Sequence, residues 1–402
     1  MTVSAPAPSA GRSVAAIYTL MSVMFINIMG FGIVVPLLPF YAKSFQAAPW
    51  QIALIFSAYS LGSFIGEPFW GRLSDRIGRK PVLVSTTVAN CLCYGALAFA
   101  PNIATAFIIR LIGGMMAGNG SVVQGYIADV TPVDERARLM ARLGAAYNIG
   151  FILGPFIGGV LAKTSAGPIG FQIPLLVASG CGALSALGIF LFVQESRRSV
   201  VSRGPAKRPW DVLGLAVSDP VIGKLMLLTF VVGFAFTGIE STFGLWAHAR
   251  FAWEPRNVGI CFGVSGAASA FTNFFITGQL SRRFGEARML AVGMAGTVIA
   301  LALMPFTNGA WSTLAIMAAS SMASSVAFPN AGAMMSAATD EDHQGQIMGL
   351  NNAAGAFSRV AGPLSASFVF AANVNGPFFL AAVIVAPAIF LALAAGRAGR
   401  RA

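Results

Sequence analysis

A chain of 402 residues that is 56% hydrophobic and only 10% charged, with a mean hydropathy of +0.75, cannot coat a soluble surface, which excludes an ordinary globular domain. The formal net charge of +12 does not point to nucleic acid, because the Lys and Arg residues sit in short loops between apolar runs and form no basic soluble face. At about 20 apolar residues per bilayer crossing, the length supplies roughly a dozen spans.

The first residues, Met1 to Gly11, form an Ala/Pro/Ser tail, and 1–13 is assigned as a disordered cytoplasmic segment. Arg12 opens an apolar run that reaches Tyr41, too long for a signal-peptide core, so it is read as the first span. Apolar runs punctuated by Gly, Pro and charge place further helices in chain order. The twelve are 15–41, 51–71, 80–100, 103–126, 139–162, 171–193, 222–246, 256–279, 287–306, 310–337, 345–370 and 376–396. The longest loop, 194–221, holds Arg197, Arg198, Arg203, Lys207 and Arg208. It divides a six-helix bundle over 14–193 from another over 222–396, and 397–402 is a basic tail. The predicted fold class is an all-α polytopic membrane protein with twelve transmembrane helices in two six-helix bundles. The 45 glycines fall inside the apolar runs, where small residues let membrane helices approach closely.

Basic residues occupy alternate loops. Arg72, Arg76, Arg79 and Lys80, then Arg136, Arg138 and Arg142, the central loop, Arg282, Arg283 and Arg288, and the tail all fall on one side. The other side holds Lys43, Lys163, Arg250, Arg256 and Glu254. The positive-inside rule makes the first side cytoplasmic, with both termini there, in a multi-pass inner-membrane protein of bacterial type. The four cysteines, Cys91, Cys93, Cys181 and Cys261, lie in apolar runs without disulfide or metal spacing and are read as packing residues.

The halves repeat at an offset of about two hundred residues, as transporter halves do. Gly71-Arg-Leu-Ser-Asp-Arg-Ile-Gly78 is echoed by Gly278-Gln-Leu-Ser-Arg-Arg-Phe-Gly285, Gly154-Pro155 by Gly362-Pro363, and Thr131–Arg138 by Thr339–Gln346. Such a duplication places a substrate site at the midplane between the halves.

Several motifs carry chemistry. In the loop Gly71 to Lys80, glycines permit a tight turn, and Asp75 is an acid able to face a helix N-terminus or an arginine. Arg76, Gly78, Arg79 and Lys80 complete it; the plain alternative is a loop that only sets topology. In the fifth span, Gly144, Gly150, Gly154, Pro155, Gly158 and Gly159 place small residues on one stripe with a proline inside. The first span carries Asn27 to Pro39, with glycines and prolines in the run.

These motifs resemble the major facilitator superfamily and, within it, the twelve-span drug:proton antiporters that include tetracycline-efflux proteins. The resemblance covers nearly the whole chain. It implies that the Gly71–Lys80 loop latches the halves together on the cytoplasmic side in the outward-facing state. Arg282 stands where the acid would be in the second copy, so the latch is one-sided. It implies that the fifth-span array belongs to exporters, and that Arg110 takes part in proton transfer or pairs with an acid; snorkelling to headgroups is the alternative. Tetracycline-type relatives have an aspartate where this chain has Asn27, and an amide cannot carry a proton.

Two other acids lie within apolar runs. Glu240 sits deep in the seventh span, where burial disfavours the charged form, as suits a proton carrier or a cation-recognising group. Glu67 lies one turn before Gly71, near the cytoplasmic mouth. Polar side chains expected to line a cavity are Asn27, Tyr59, Gln124, Tyr147, Asn148, Asn273, Asn330 and Asn351. His248 and His343 have no metal-ligand companion, no G-x₄-G-K-[ST] motif is present, and no nucleophile–base set stands out. The expected activity is therefore not enzymatic: proton-coupled efflux of a small lipophilic compound by a monomer, with the proton as coupling ion, no other cofactor and no metal. The alternative is a facilitator or symporter of a sugar or organic acid with the same fold.

Overall fold

A computed structural model describes residues 10–117, 119–131, 133–196, 220–338 and 344–398. The start of the tail, most of the 194–221 linker, residues 339–343 of the second polar segment with His343, and the last four residues lie outside it.

The described chain is a succession of helices. They are α1 (Ala10–Val34), α2 (Leu38–Ser44), α3 (Pro49–Ile77), α4 (Arg79–Ala98), α5 (Ile103–Met115), α6 (Asn119–Val130), α7 (Val133–Leu161) and α8 (Gln172–Phe192) in the first half. The second half holds α9 (Pro220–Phe251), α10 (Pro255–Phe271), α11 (Gly278–Phe284), α12 (Glu286–Leu303), α13 (Ala310–Ala337), α14 (Gln344–Ala372) and α15 (Gly376–Ala398). Among the described residues, ten helical segments are long and apolar enough to cross a membrane. The α5–α6 pair and α14 stand at the fourth and eleventh of the twelve expected places.

Local chemistry sets the boundaries. Pro49 and Pro255 begin α3 and α10, where a missing N–H costs nothing. Asn102 caps α5 by accepting from the Thr105 N–H at 2.9 Å. Gly78 and Gly285 adopt φ of +106° and +84°, ending α3 and α11, and they hold equivalent places in the two copies of the repeat. The expected fourth span is broken after Met115, in a stretch rich in glycine, the poorest helix former after proline. Residues Thr272–Thr277 form a π-helical turn between α10 and α11.

The helix pairings repeat. In the first half α1 packs on α7 and α8, α4 on α8, and α3 on α5; in the second, α9 packs on α14 and α15, α12 on α15, and α10 on α13. Glycine explains how closely these helices approach. A Cβ on Gly154 would lie 2.6 Å from Met29 O of α1, and one on Gly362 would lie 2.5 Å from Phe234 O of α9. The Gly-Pro pairs matched by sequence thus perform one packing task in both halves.

Each bundle presents two ends. One carries the basic loops around Gly78 and Gly285; the other, poor in charge, carries the turns at 45–48, 99–102, 162–171 and 252–254. At the charge-poor end a continuous apolar core joins the halves through Leu37, Leu38, Phe40 and Tyr41 with Phe243, Trp246, Trp253 and Phe378. The Trp246 ring meets the Phe378 ring at 4.8 Å between centroids, and Tyr41 Oη donates to Leu97 O at 2.7 Å. A second core, confined to the first half, gathers Leu20, Val82, Leu83, Val122, Tyr126 and Ile127 nearer the basic end.

Candidate functional site

Two seams join the halves, α7 against α10 and α3 against α14. Along the first, glycines face each other: a Cβ on Gly159 would lie 2.5 Å from Pro255 O, and one on Gly259 2.5 Å from Pro155 O. Gly263 faces Phe156, and Gly266 faces Ile152, further along the same seam. On the second, Ser57 Oγ donates to Val360 O at 2.8 Å. Phe40 meets His248 edge-on at 6.0 Å. All of these contacts lie in the half of the molecule toward the charge-poor end.

The fifth-span array divides by use. Gly150, Gly154 and Gly158 press α7 on the backbone of Phe25, Met29 and Ile33 in α1, whereas Gly159 faces the opposite half. Gly144 has no atom within 4 Å of a Cβ built on it, so it takes no part in close packing.

At the basic end, the Gly71–Lys80 loop is knitted into its own half. Arg79, 7% exposed, pairs with Asp75 at 2.9 Å and Asp129 at 3.1 Å, and donates to Ser74 Oγ at 2.6 Å. The Glu195 carboxylate accepts from the Arg79 and Lys80 backbone N–H groups at 2.8 and 3.1 Å, an acid set on a helix N-terminus. Lys80 Nζ donates to Phe190 O at 2.8 Å, while Arg76 is exposed. Arg79 is thus held by groups of its own half. Glu195 was not singled out from sequence; an acid just past a span, beside a basic loop, is the signal that points to it.

Arg110 is 3% exposed, its side chain buried inside the first half. Its guanidinium lies over the Tyr59 ring at 4.3 Å, a cation–π contact. It lines a small pocket with Tyr59, Asn90, Cys93, Tyr94 and Gly113. Arg110 Nε has no hydrogen-bond partner among the described residues. Tyr59 also meets Phe31 at 5.4 Å, which ties this pocket to α1.

Glu240 is half-buried on α9, and Glu67 is exposed on α3. Arg359 on α14 lies within electrostatic reach of both acids, and Tyr147 on α7 within reach of all three. These four side chains come from both halves. Arg359 was missed in the sequence, although a cation inside an apolar run is the signal that marked Arg110. Among the other expected cavity residues, Gln124, Asn148 and Asn273 are exposed and Asn27 is half-buried. Asn330 is buried, with Nδ2 donating to Val326 O at 2.6 Å, so its amide is engaged within its own helix. Asn351 is half-buried with Oδ1 unpartnered.

Residues 20–283 and, again, 225–401 match the Major Facilitator Superfamily. The chain is 28% identical over 390 residues to the tetracycline resistance protein, class C, of Escherichia coli, covering 96% of this chain and 97% of that protein. It is 27% identical to the quinolone resistance protein NorA of Staphylococcus aureus (strain N315), covering 91% and 92%. Among solved structures, a bacterial homologue of the human lysosomal transporter Spinster, inward-facing and unoccupied, superposes with a TM-score of 0.80 at 13% identity, over 98% of this chain and 99% of that one. The human organic anion transporter MFSD10 (TETRAN) gives 0.70 at 23% identity, over 94% and 99%.

Proposed function

The chain belongs to the Major Facilitator Superfamily, and from that premise we propose that it exports small lipophilic compounds in exchange for protons by alternating access. The observation that carries this reading is the space between the halves. It is closed toward the charge-poor end by the contacts of α7 with α10 and of α3 with α14, and Glu240, Glu67, Tyr147 and Arg359, from four different helices of the two halves, lie within electrostatic reach of one another. The glycine array that presses α7 on α1 and across on α10, together with whole-length similarity to tetracycline and quinolone resistance proteins, supports export of drug-like compounds.

The positive-inside rule puts the basic end in the cytoplasm, with both termini, in a bacterial-type inner membrane. The contacts gathered at the charge-poor end then describe a carrier closed to the outside and turned to the cytoplasm. A lipophilic compound enters from that side or from the inner leaflet, and apolar and aromatic walls hold it. Glu240 is the acid placed to exchange a proton for a cationic group of that compound. The pocket of Arg110, Tyr59, Tyr94 and Asn90 holds a buried charge beside α1, where Asn27 cannot take the proton. The Gly71–Lys80 loop, closed on itself in this state, latches the cytoplasmic ends when the carrier turns outward. The chain works as a monomer, with the proton as its only coupling species, and makes no covalent change to the compound.

The test is direction of flux. Cells producing the protein should accumulate less tetracycline or fluoroquinolone than cells without it, and a protonophore should abolish the difference. Uptake of a sugar or organic acid down its gradient, with no effect on either drug, would instead establish the facilitator reading.

A further inference from the structure

Charge inside hydrocarbon is held by partners, and an unexplained intramembrane cation calls for an account of what it pairs with. Arg359, exposed on α14 at the place of the eleventh expected span, calls for such an account. Its neighbours fix where it stands: Ser358 O accepts from Thr237 Oγ1 of α9 at 3.3 Å, and Val360 O accepts from Ser57 of α3 at 2.8 Å. The arginine therefore lies at the corner where one helix of its own half and one of the opposite half meet α14.

Depth follows from those two anchors. Glu240 is three residues beyond Thr237, about 4–5 Å nearer the charge-poor end at 1.5 Å per residue. Glu67 is ten residues beyond Ser57, about 15 Å toward the basic end. The Arg359 side chain runs toward that basic end, with Nη1 3.7 Å from where a Gly355 Cβ would be, about 7 Å below Val360. Side chains on a helix lean toward its N-terminus. Because α3 and α14 are antiparallel, Glu67 leans up and Arg359 leans down, toward each other. Among the described residues no ion pair ties Arg359 to either acid in this state.

We propose that Arg359 is a positioning residue for exchange, the shared counter-ion of Glu240 on its own half and Glu67 on the opposite half. This rests on the export reading above and deepens it. While Glu240 is ionised and empty, its charge holds the guanidinium short of Glu67, and the pair across α3 and α14 does not form. When a proton or a cationic group of the substrate compensates Glu240, Arg359 is released to Glu67, and the pair closes the cytoplasmic side of the seam. Either load lets the carrier turn and an empty carrier cannot, which is the condition for obligatory exchange. The groups facing this cation are Glu67 on α3, Glu240 on α9 and Tyr147 on α7; Tyr59, further along α3, also feels Glu67 and Tyr147.

The experiment needs no substrate, so its outcome is separate from that of the export reading. Spin labels at Ile77→Cys on α3 and Asn352→Cys on α14, in full-length protein lacking its native cysteines, report the cytoplasmic gap in lipid nanodiscs. Acidification should shift the distance distribution toward the short, closed population in the parent. Glu240→Gln should already favour the short population at alkaline pH. Glu67→Gln and Arg359→Gln should each lose the pH-linked shift, Arg359→Lys should keep part of it, and the exchange Glu67→Arg with Arg359→Glu should favour the short population at both pH values, because Glu240 cannot hold a carboxylate away from its partner. An unchanged shift in Glu67→Gln, a conservative variant expected to fold, would overturn the proposal. So would a Glu240→Gln protein that responds to pH as the parent does.

Discussion

Arg110 carries the sharpest expectation at the scale of one residue. The guanidinium lies flat on the Tyr59 ring, 3% exposed, with its Nε unpartnered. A lysine keeps the charge but not the planar face, so the exchange is not conservative at this site. Arg110→Lys should therefore lose most proton-driven drug efflux, nearly as much as Arg110→Ala, while detergent-solubilised protein still elutes as a single folded peak. Efflux at parental rates in the lysine variant would mean that charge alone suffices and that the stacking has no part. The sequence revealed that an arginine occupied the fourth span but left headgroup snorkelling open. Only the fold, which brings Tyr59, Asn90 and Tyr94 from two other helices, decides between them. The same limit hid the Arg79–Asp129 pair, because it depends on a contact across fifty residues of chain; Arg359, by contrast, bore the same mark in the sequence as Arg110.

Helix packing is where the sequence was most informative. Small residues at spacings of four point to a close-packed stripe, and Gly150, Gly154 and Gly158 form one against α1. Spacing could not separate members that touch from members that do not, and Gly144 faces open space. The two should behave oppositely. Gly154→Ala, whose new methyl would lie 2.6 Å from a backbone carbonyl, should cost about 1–3 kcal/mol by overpacking and lower the unfolding temperature. Gly144→Ala should be neutral or stabilise by up to about 1 kcal/mol, since alanine is the better helix former. Equal effects in thermal denaturation of the two purified variants would contradict the assignment. The break in the expected fourth span after Met115 was not legible, because a glycine-rich apolar run reads the same whether the helix continues or stops.

Across the whole molecule, the six-plus-six repeat and alternating basic loops were legible because duplication and topology leave marks in the chain itself. The state of the carrier was not, since both orientations of the seams use the same sequence. Ile152 and Gly266 face each other across α7 and α10, in the half that is closed here. A disulfide between Ile152→Cys and Gly266→Cys, in a background without native cysteines, should hold that end shut. It should abolish efflux, and a reductant should restore it. Transport through the oxidised protein would show that the charge-poor seam need not open.

The central claim is proton exchange centred on Glu240, and one measurement meets it directly. Everted membrane vesicles containing the protein are energised to an acidic interior, and tetracyclines and other lipophilic drugs are added while a pH-sensitive dye reports proton release. Substrate-triggered release that is present in the parent and absent in Glu240→Gln vesicles is the predicted result. Uphill drug movement and proton release that persist unchanged in Glu240→Gln would contradict it.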